Sequence, residues 1–246
     1  MTDGSPAGGA VRAGVWATLG EARTTLELER CGFHWVGLDA QHGHFDDAAV
    51  RRFLALRHTP TVPVLVRVGA DDPALIGRAL DAGADGVIVP LVEDASQAAA
   101  AVAAAHHPPL GTRSWGFLPG AHGAGAATPP RPLCAVMIET GRALAEAASI
   151  AATPHLDMVF VGPFDLALAL GRDVDDLLAD TSEGAPLPRI ARACREAGVL
   201  LGAYGGSPER SAALRAQGAC WIAVATDSGV LRLGSEAARA APPGPA

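Results

Sequence analysis

The residues best suited to chemistry in this sequence are five ionisable side chains, each at or just after the end of an apolar run: Asp39, His42, Arg67, Glu139 and Asp165. Glu139 and Asp165 together suit a hard cation such as magnesium or manganese, which prefers oxygen ligands. The imidazole of His42 can accept and donate a proton, with the nearby Asp39 to orient it. The guanidinium of Arg67 suits an enolate or carboxylate oxygen. We therefore expect one site that combines a metal, an acid–base group and an anion-stabilising group.

Each of these residues also has an alternative role that concerns structure alone. Asp165 precedes a short apolar run and is equally suited to capping the N-terminus of a helix, and the same alternative applies to Glu139. His42 has the alternative of a surface histidine that bonds to the local backbone. Arg67 has the alternative of an ion pair with a buried carboxylate, because an unpaired guanidinium at the end of an apolar strand is unfavourable. The residue types alone leave these alternatives open.

The elements that must position these side chains repeat one pattern: a short apolar run, a polar turn and an amphipathic segment. Strands are predicted at residues 14–18, 35–39, 62–67, 86–89, 133–138, 158–161, 199–203 and 221–225. Helices are predicted at residues 23–31, 46–56, 73–82, 95–105, 143–151, 190–197, 208–217 and 228–240. The strands are apolar throughout, as expected for a parallel sheet that is covered on both faces. The pattern is of the α/β class and predicts a single-domain (β/α)8 TIM barrel, whose active site is formed by the C-terminal ends of the strands.

A doubly wound open sheet is the alternative fold. That fold usually carries a G-x-G-x-x-G motif after its first strand, whereas here the first strand leads into Leu19-Gly20-Glu21-Ala22. We expect the barrel domain to span residues 12–240, between flexible ends at 1–11 and 241–246. Long loops are predicted at 106–132, where His122 is a candidate lid residue, and at 171–188.

Composition excludes several classes of function. All 19 basic residues are arginine, so Schiff-base chemistry and a P-loop, which both need lysine, are excluded. The net charge of −7, with no basic cluster, makes nucleic acid and anionic membranes poor partners. Residues 1–10 have no basic and apolar regions typical of a signal peptide, so we expect none, and the sequence has no apolar run of the roughly 20 residues that span a membrane. Four separated cysteines predict buried free thiols in a reducing cytoplasm.

Four segments, taken in order, resemble the HpcH/HpaI aldolase family, and the resemblance extends from about residue 14 to about residue 239. The segments are Leu38-Asp39-Ala40-Gln41-His42-Gly43, Val66-Arg67, Met137-Ile138-Glu139-Thr140 and Phe160-Val161-Gly162-Pro163-Phe164-Asp165-Leu166-Ala167. The resemblance implies a (β/α)8 barrel in a homo-oligomer, usually a hexamer (a trimer of dimers) whose paired subunits exchange the last helix. It also implies metal-dependent, reversible aldol cleavage of a 4-hydroxy-2-oxo acid to pyruvate and an aldehyde.

The resemblance assigns a role to each candidate residue. Glu139 and Asp165 would bind a divalent cation, either Mg, Mn or Co. His42, supported by Asp39, would act as the acid/base, and Arg67 would stabilise the pyruvate enolate. The absence of lysine agrees with this chemistry, because a cation polarises the keto group where other aldolases use an iminium.

The resemblance also implies a substrate-binding set. Gly162, Pro163 and the backbone that follows would hold the pyruvate carboxylate, with Gln41, Met137 and Phe164 nearby. Gln41 stands where many members have Glu, Met137 where some have Gln, and the bulky Phe164 where a small or polar residue is usual. We expect these departures to affect the acceptor aldehyde rather than the enolate chemistry. Two rival functions stay open: another lyase or synthase that works through an enolate, such as an oxaloacetate decarboxylase, and a barrel that binds a ligand without turnover.

Overall fold

The computed structural model describes residues 10–116 and 131–240, which form a closed barrel of eight parallel strands in chain order. The strands are β1 Arg12–Ala17, β2 Trp35–Asp39, β3 Val64–Arg67, β4 Gly86–Val89, β5 Leu133–Ile138, β6 Met158–Val161, β7 Leu200–Tyr204 and β8 Trp221–Thr226. The helices are α1 Ala22–Glu29, α2 Asp47–Leu56, α3 Pro73–Asp81, α4 Ala95–Ala105, α5 Gly141–Ala145, α6 Ala147–Ala151, α7 Pro163–Ala169, α8 Val174–Ala179, α9 Pro186–Ala197, α10 Pro208–Ala216 and α11 Asp227–Ala240. Because β8 pairs with β1, the sheet closes and the predicted (β/α)8 barrel is confirmed.

The strands agree with the prediction to within two residues at each end, whereas the helices differ more. The helix predicted at 143–151 is two short helices, α5 and α6, which meet at Glu146. Helix α9 begins four residues earlier than predicted, and α7 and α8 were not predicted at all. The prediction of a loop at 171–188 is therefore wrong where α8 and the start of α9 lie. No helix in the two described ranges is long and apolar enough to cross a membrane.

Three of the sequence predictions concern residues that the structure does not describe. The predicted flexible N-terminus lies outside the described residues except for Ala10 and Val11, and the predicted tail at 241–246 lies wholly outside them. Residues 117–130, which contain the candidate lid residue His122, also lie outside.

A group of large aromatic side chains fills the inside of the barrel. Trp16, Trp35 and Phe160 are buried there, and Trp16 stacks on Phe160 with 5.6 Å between ring centroids. Gly14 faces Trp35, and a Cβ at that position would overlap the indole ring. A second apolar core lies between the strands and the surrounding helices. The strands are apolar on both faces because both faces are buried.

The prediction of buried cysteines is correct for two of the four. Cys134 and Cys194 are buried, Cys220 is half-buried and Cys31 is exposed, and all four are free thiols. Burial raises the pKa of Cys194 to about 12, so this thiol is protonated at neutral pH. The prediction is wrong for Cys31, because it follows the end of α1 on the outer surface of the barrel.

A buried ion-pair network holds the face of the barrel opposite the predicted active site. The side chains of Arg57 and Glu29 are 1% and 4% exposed. Arg57 Nη2 donates to Glu29 Oε1 at 2.9 Å and to the carbonyl of Val62 at 2.6 Å. Arg57 Nη1 lies 3.4 Å from Asp85, which also accepts from the backbone N–H of Val64 at 2.8 Å. The network joins the ends of α1 and α2 to the starts of β3 and β4.

Replacing Arg57 by Met is expected to lower the free energy of unfolding by about 3–5 kcal/mol, because it leaves the Glu29 carboxylate buried without its partner. Urea denaturation at neutral pH measures this loss. The double variant Arg57→Met/Glu29→Leu should recover much of it, since neither charge is then buried alone. Arg78→Met, which breaks an exposed pair with Asp47, is the matched control and should change the midpoint little. An equal loss in both single variants would contradict the prediction.

Candidate active site

The predicted chemical residues lie together at the C-terminal ends of the strands, the face that carries the active site in TIM barrels. Asp39 is the last residue of β2 and Arg67 the last of β3, and the two are partners in the register of these neighbouring strands. Glu139 directly follows β5, and Asp165 lies in the first turn of α7, which follows the neighbouring β6. His42 is exposed on the loop after β2.

Asp39 and Arg67 form a buried ion pair with two hydrogen bonds. Arg67 Nε donates to Oδ1 at 3.0 Å and Nη2 donates to Oδ2 at 2.6 Å. Burial by itself would raise the pKa of Asp39, but the hydrogen bonds and charge of Arg67, with the backbone N–H groups of His42 and Gln41, outweigh burial and lower it. The ion-pair alternative for Arg67 is therefore correct as geometry. It leaves Nη1 as the nitrogen of the guanidinium that has no hydrogen bond within the described residues.

Asp39 also shapes the loop that carries His42. Its Oδ1 accepts from the backbone N–H groups of Gln41 and His42, each at 3.0 Å. In the part of the chain that the structure describes, no hydrogen bond joins Asp39 to the imidazole, so its support of His42 is through the backbone. On the other side of the loop, the N–H of His44 donates to the carbonyl of Thr18 at 2.7 Å, which ties the loop to the end of β1.

Glu139 is a buried carboxyl group on which the other charged residues converge. It is 2% exposed, and its Oε1 accepts from the backbone N–H of Leu91 at 2.7 Å. Leu91 has a φ of 57°, in the left-handed region that is strained for a leucine, and this conformation accompanies the bond to Glu139. Burial raises the pKa of Glu139, with a contribution from Asp165, and this outweighs the lowering by the Leu91 N–H, Arg67 and His42. Three charged groups, from the end of β3, the loop after β2 and the first turn of α7, thus act on one carboxyl group.

Helix capping accounts for neither acid. The N-cap of α7 is Gly162, so Asp165 lies inside the first turn rather than at the cap. The N-cap of α5 is Thr140, whose hydroxyl accepts from the N–H of Ala143 at 3.0 Å. The capping alternative is therefore wrong for both Glu139 and Asp165.

The donor set fits a hard divalent cation. Both candidate ligands are carboxylates that follow neighbouring strands, and burial together with the negative charge of Asp165 raises the pKa of Glu139, an effect that a bound cation would oppose. A Cβ at Gly162 would lie 2.7 Å from Glu139 Oε2, so the glycine leaves the room that this carboxylate occupies. Within residues 10–116 and 131–240, no group of three or more His, Cys, Asp or Glu side chains is arranged to hold an ion. Water and substrate would have to supply the remaining ligands, as they commonly do for magnesium.

The structure restricts which backbone groups of α7 are available to a substrate. The N–H of Gly162 donates to the carbonyl of Ile138 at 3.4 Å, and Pro163 has no N–H. The hypothesis of a carboxylate held by backbone amides therefore applies to Phe164 and Asp165, the next two residues of the helix.

The other predicted substrate-binding side chains lie at different depths. Met137 is buried inside the barrel, and its methyl carbon would lie 3.0 Å from a Cβ at Gly162. The side-chain oxygen of Gln41 is buried and has no hydrogen-bond partner among the described residues, which is unfavourable without water or a ligand. Phe164 is 40% exposed at the rim. Met137 is thus in the interior of the barrel and Phe164 at its rim.

Comparison with known proteins decides the family. Residues 12–233 match the family model of the HpcH/HpaI aldolase/citrate lyase proteins. The chain belongs to this family. It is 35% identical over 232 residues to a 2-dehydro-3,6-dideoxy-6-sulfogluconate aldolase of Pseudomonas putida, covering 89% of this chain and 87% of the relative. It is 34% identical over 232 residues to a hydroxypyruvate/pyruvate aldolase of Paraburkholderia phytofirmans, covering 87% and 86%. The crystal structure of an HpcH/HpaI aldolase/citrate lyase family protein from Burkholderia cenocepacia superposes with a TM-score of 0.82 at 30% identity and 95% coverage of both chains.

The HpcH/HpaI assignment confirms the resemblance carried by the four sequence segments. It makes the chain an enzyme of the aldolase class, a carbon–carbon lyase, rather than a barrel that binds a ligand without turnover. The fold agrees, since this family member and the B. cenocepacia protein share nearly their whole length.

Two residues of this HpcH/HpaI site were missed in the sequence. Trp16 Nε1 donates to Asp39 Oδ2 at 3.2 Å, and the Arg67 guanidinium lies over the Trp16 ring at 5.3 Å. Asp227, which is 1% exposed, accepts from the N–H and the hydroxyl of Thr18 at 2.8 and 2.9 Å and so anchors the end of β1. A signal was present for Asp227, which lies two residues after the predicted strand 221–225, whereas nothing in the sequence distinguishes Trp16 from the other residues of the predicted strand 14–18.

Proposed function

We propose that this chain is a divalent-metal-dependent aldolase that reversibly cleaves a 4-hydroxy-2-oxo acid to pyruvate and an aldehyde. The observation that carries the proposal is that the buried carboxyl group of Glu139, directly after β5, lies at the same end of the barrel as Asp165 at the start of α7, the Asp39–Arg67 ion pair and the loop of His42. Glu139 and Asp165 would hold the cation, either Mg, Mn or Co. The relatives named as aldolases support the class of reaction.

The proposed electron sink combines a cation with Arg67. When bound, the cation supplies Lewis-acid polarisation of the substrate keto group, in a chain that has no lysine to form an iminium. Arg67 is held at Nε and Nη2 by Asp39, so its Nη1 can donate to the oxygen on which the enolate charge develops. Trp16 fixes the same pair from the inside of the barrel. Arg67 is therefore already oriented before substrate binds, which is what electrostatic stabilisation of an enolate requires.

The proposed proton transfer uses His42. Its loop is held by Asp39 on one side and by Thr18 on the other. In the cleavage direction His42 accepts the C4 hydroxyl proton, directly or through one water. The C3–C4 bond then breaks, its electron pair forms the pyruvate enolate, and the C4 fragment leaves as the aldehyde. A proton returned to C3 gives pyruvate, and the reverse sequence gives aldol addition.

The purified protein is expected to release pyruvate from a 4-hydroxy-2-oxo acid and to exchange deuterium into the methyl group of pyruvate, both only with a divalent cation. A coupled lactate dehydrogenase assay measures the first activity and proton NMR the second. EDTA should remove both, Mg, Mn or Co should restore them, and EDTA already saturated with the test metal is the control. Deuterium exchange that survives EDTA would contradict the requirement for a divalent cation. Pyruvate release from oxaloacetate but from no aldol substrate would favour a decarboxylase.

We also propose that the chain forms a homo-oligomer and works in the cytoplasm. The family resemblance implies that the oligomer is a hexamer. One structural feature supports the oligomer. Of the residues of α11, Asp227 is buried, whereas Leu231 and Leu233 are 50% and 53% exposed. Apolar side chains exposed along a terminal helix are typical of a surface that packs against another subunit.

A further inference from the structure

An aromatic side chain at the rim of the barrel is held by residues that the reaction itself does not use. Phe164 follows Pro163 at the start of α7 and immediately precedes Asp165. Its ring lies 5.8 Å from the ring of Tyr204, the last residue of β7. The guanidinium of Arg210, from α10, lies over the Phe164 ring at 4.9 Å. Two neighbouring strand–helix units, β6 with α7 and β7 with α10, thus meet at one exposed phenylalanine.

The same aromatic contacts lead inward to the proposed enolate site. Tyr204 lies 5.8 Å from Trp16, and Arg67 lies over the Trp16 ring at 5.3 Å. Trp16, Tyr204 and Phe164 therefore form a continuous aromatic wall from the Asp39–Arg67 pair to the rim. A substrate that Arg67 holds by its pyruvate half would lie beside this wall where the rest of its chain extends to the rim.

The outer end of the aromatic wall is fixed by an ion pair. Arg210 donates from Nε to Asp175 Oδ1 at 2.7 Å and from Nη2 to Asp175 Oδ2 at 3.1 Å. Two hydrogen bonds to one carboxylate set the plane of the guanidinium, and that plane covers the Phe164 ring. Since Asp175 balances the charge of Arg210, this geometry favours a positioning role for Arg210 over the binding of an anion.

We propose that Phe164, held between Tyr204 and Arg210, is a specificity-determining residue that restricts the acceptor aldehyde to small, unbranched compounds. The inference rests on the proposed function, because it concerns the aldehyde half of the same reaction. The backbone of Phe164 lies beside Asp165, while its ring forms the outer end of the aromatic wall, so the bulk of the ring would narrow the mouth through which an acceptor aldehyde enters. The ring is 40% exposed, so it is accessible to a substrate at the rim.

The test is aldol addition of pyruvate to acetaldehyde and to 2-methylpropanal, with kcat/KM measured for each aldehyde. Phe164→Ala should shift the ratio toward 2-methylpropanal by about ten-fold or more, the range expected for a few methyl groups in a pocket. Arg210→Met and Asp175→Asn should shift it in the same direction by less, because they free the ring without removing it. Leu168→Ala, on the same helix at a side chain that is 80% exposed, is the control and should leave the ratio unchanged.

The outcomes separate this inference from the proposed function. An unchanged ratio in Phe164→Ala, with deuterium exchange into pyruvate intact, overturns the inference and leaves the aldolase proposal in place. A wild-type preference for benzaldehyde that Phe164→Ala abolishes also overturns it, since the ring would then bind the acceptor rather than exclude it. Failure of exchange and of addition with every aldehyde in the wild type would overturn the proposed function itself. If Phe164→Ala does not fold, Phe164→Leu removes part of the ring's width and should shift the ratio in the same direction.

Discussion

Replacing Glu139 by Gln is expected to abolish metal-dependent cleavage, with kcat lower by about a hundred- to a thousand-fold or more. It should also make the metal-free protein more stable at neutral pH. Glutamine keeps an oxygen that can accept from the N–H of Leu91, so the fold around it is preserved while the charge is lost. Because the pKa of Glu139 is raised in the folded protein, ionising it opposes folding, and stability falls as the pH rises from the unfolded pKa through the folded one. Titration calorimetry with Mn measures the loss of metal binding, and Tm measured in EDTA shows the gain in stability.

Two further variants make the Glu139 prediction specific. Asp165→Asn should lose activity and metal binding in the same way, but its Tm should change less because Asp165 is exposed. Glu27→Gln, at an exposed carboxyl on α1, should change neither activity nor Tm. A Glu139→Gln protein that still responds to the metal, or that is less stable than the wild type in EDTA, would contradict the assignment of Glu139 as a buried ligand.

Replacing Glu139 is expected to raise stability and to abolish activity, and these opposite effects indicate that the carboxyl group serves chemistry rather than folding. A buried acid with a raised pKa, next to a second acid, destabilises a fold unless something else requires it. The neighbouring Leu91 is also in a strained conformation, and it points its N–H at the same oxygen. Unfavourable features gathered at one point of an otherwise well-packed barrel are typical of a site that selection maintains for chemistry.

Most of the fold was predictable because the strands are short apolar runs buried on both faces. Such runs carry their own signal, and β2, β4, β5 and β6 begin and end as predicted. The helices were harder, since tertiary contacts decide their limits. Helix α7 was missed because the motif residues Gly162-Pro163-Phe164 suggest a turn, whereas Pro163 is the first residue of the helix, where its missing N–H has no effect. Helix α8 has only six residues, too few for a periodic pattern to be recognised.

The candidate site was predictable to the extent that it depends on strand ends. Asp39, Arg67 and Glu139 all lie where parallel strands finish, so the barrel alone brings them to one face. Contacts from elsewhere in the chain were not predictable. The indole of Trp16 reaches Asp39 from the neighbouring strand β1, and the N–H of Leu91 reaches Glu139 from the loop after β4. Nothing in the spacing of these residues shows that their hydrogen bonds meet.

The two interpretations of Arg67, as an enolate-binding group and as an ion-pair partner, are compatible in this geometry. Asp39 engages Nε and Nη2, and within the described residues Nη1 makes no hydrogen bond. A guanidinium has enough N–H donors to be fixed by one carboxylate and still donate to a second oxygen. An ammonium lacks this rigid, planar arrangement of donors. The ion pair with Asp39 therefore orients Nη1 of Arg67, which a lysine at this position could not reproduce.

Arg67→Lys is therefore expected to lower kcat for pyruvate release by about a hundred- to a thousand-fold, although the charge is conserved. Lysine can bond Asp39 or the enolate oxygen but cannot reproduce the two-point pair and the third donor together. Steady-state kinetics with saturating metal measures the change. Arg142→Lys is the matched control, since Arg142 makes an exposed ion pair with Asp94 and should tolerate the exchange.

Stability separates the two roles of Arg67. Arg67→Met leaves Asp39 buried without its partner and should lower the free energy of unfolding by about 3–5 kcal/mol at neutral pH, whereas Arg67→Lys should lose less. Since the pKa of Asp39 is lowered in the folded wild type, the pair stabilises the fold above the unfolded pKa and loses that effect as the pH falls through the folded pKa. The deficit of Arg67→Met, followed by urea denaturation, should therefore shrink in acid. An Arg67→Lys enzyme with near wild-type kcat would show that charge alone suffices at this position and that the paired geometry does not matter for the enolate.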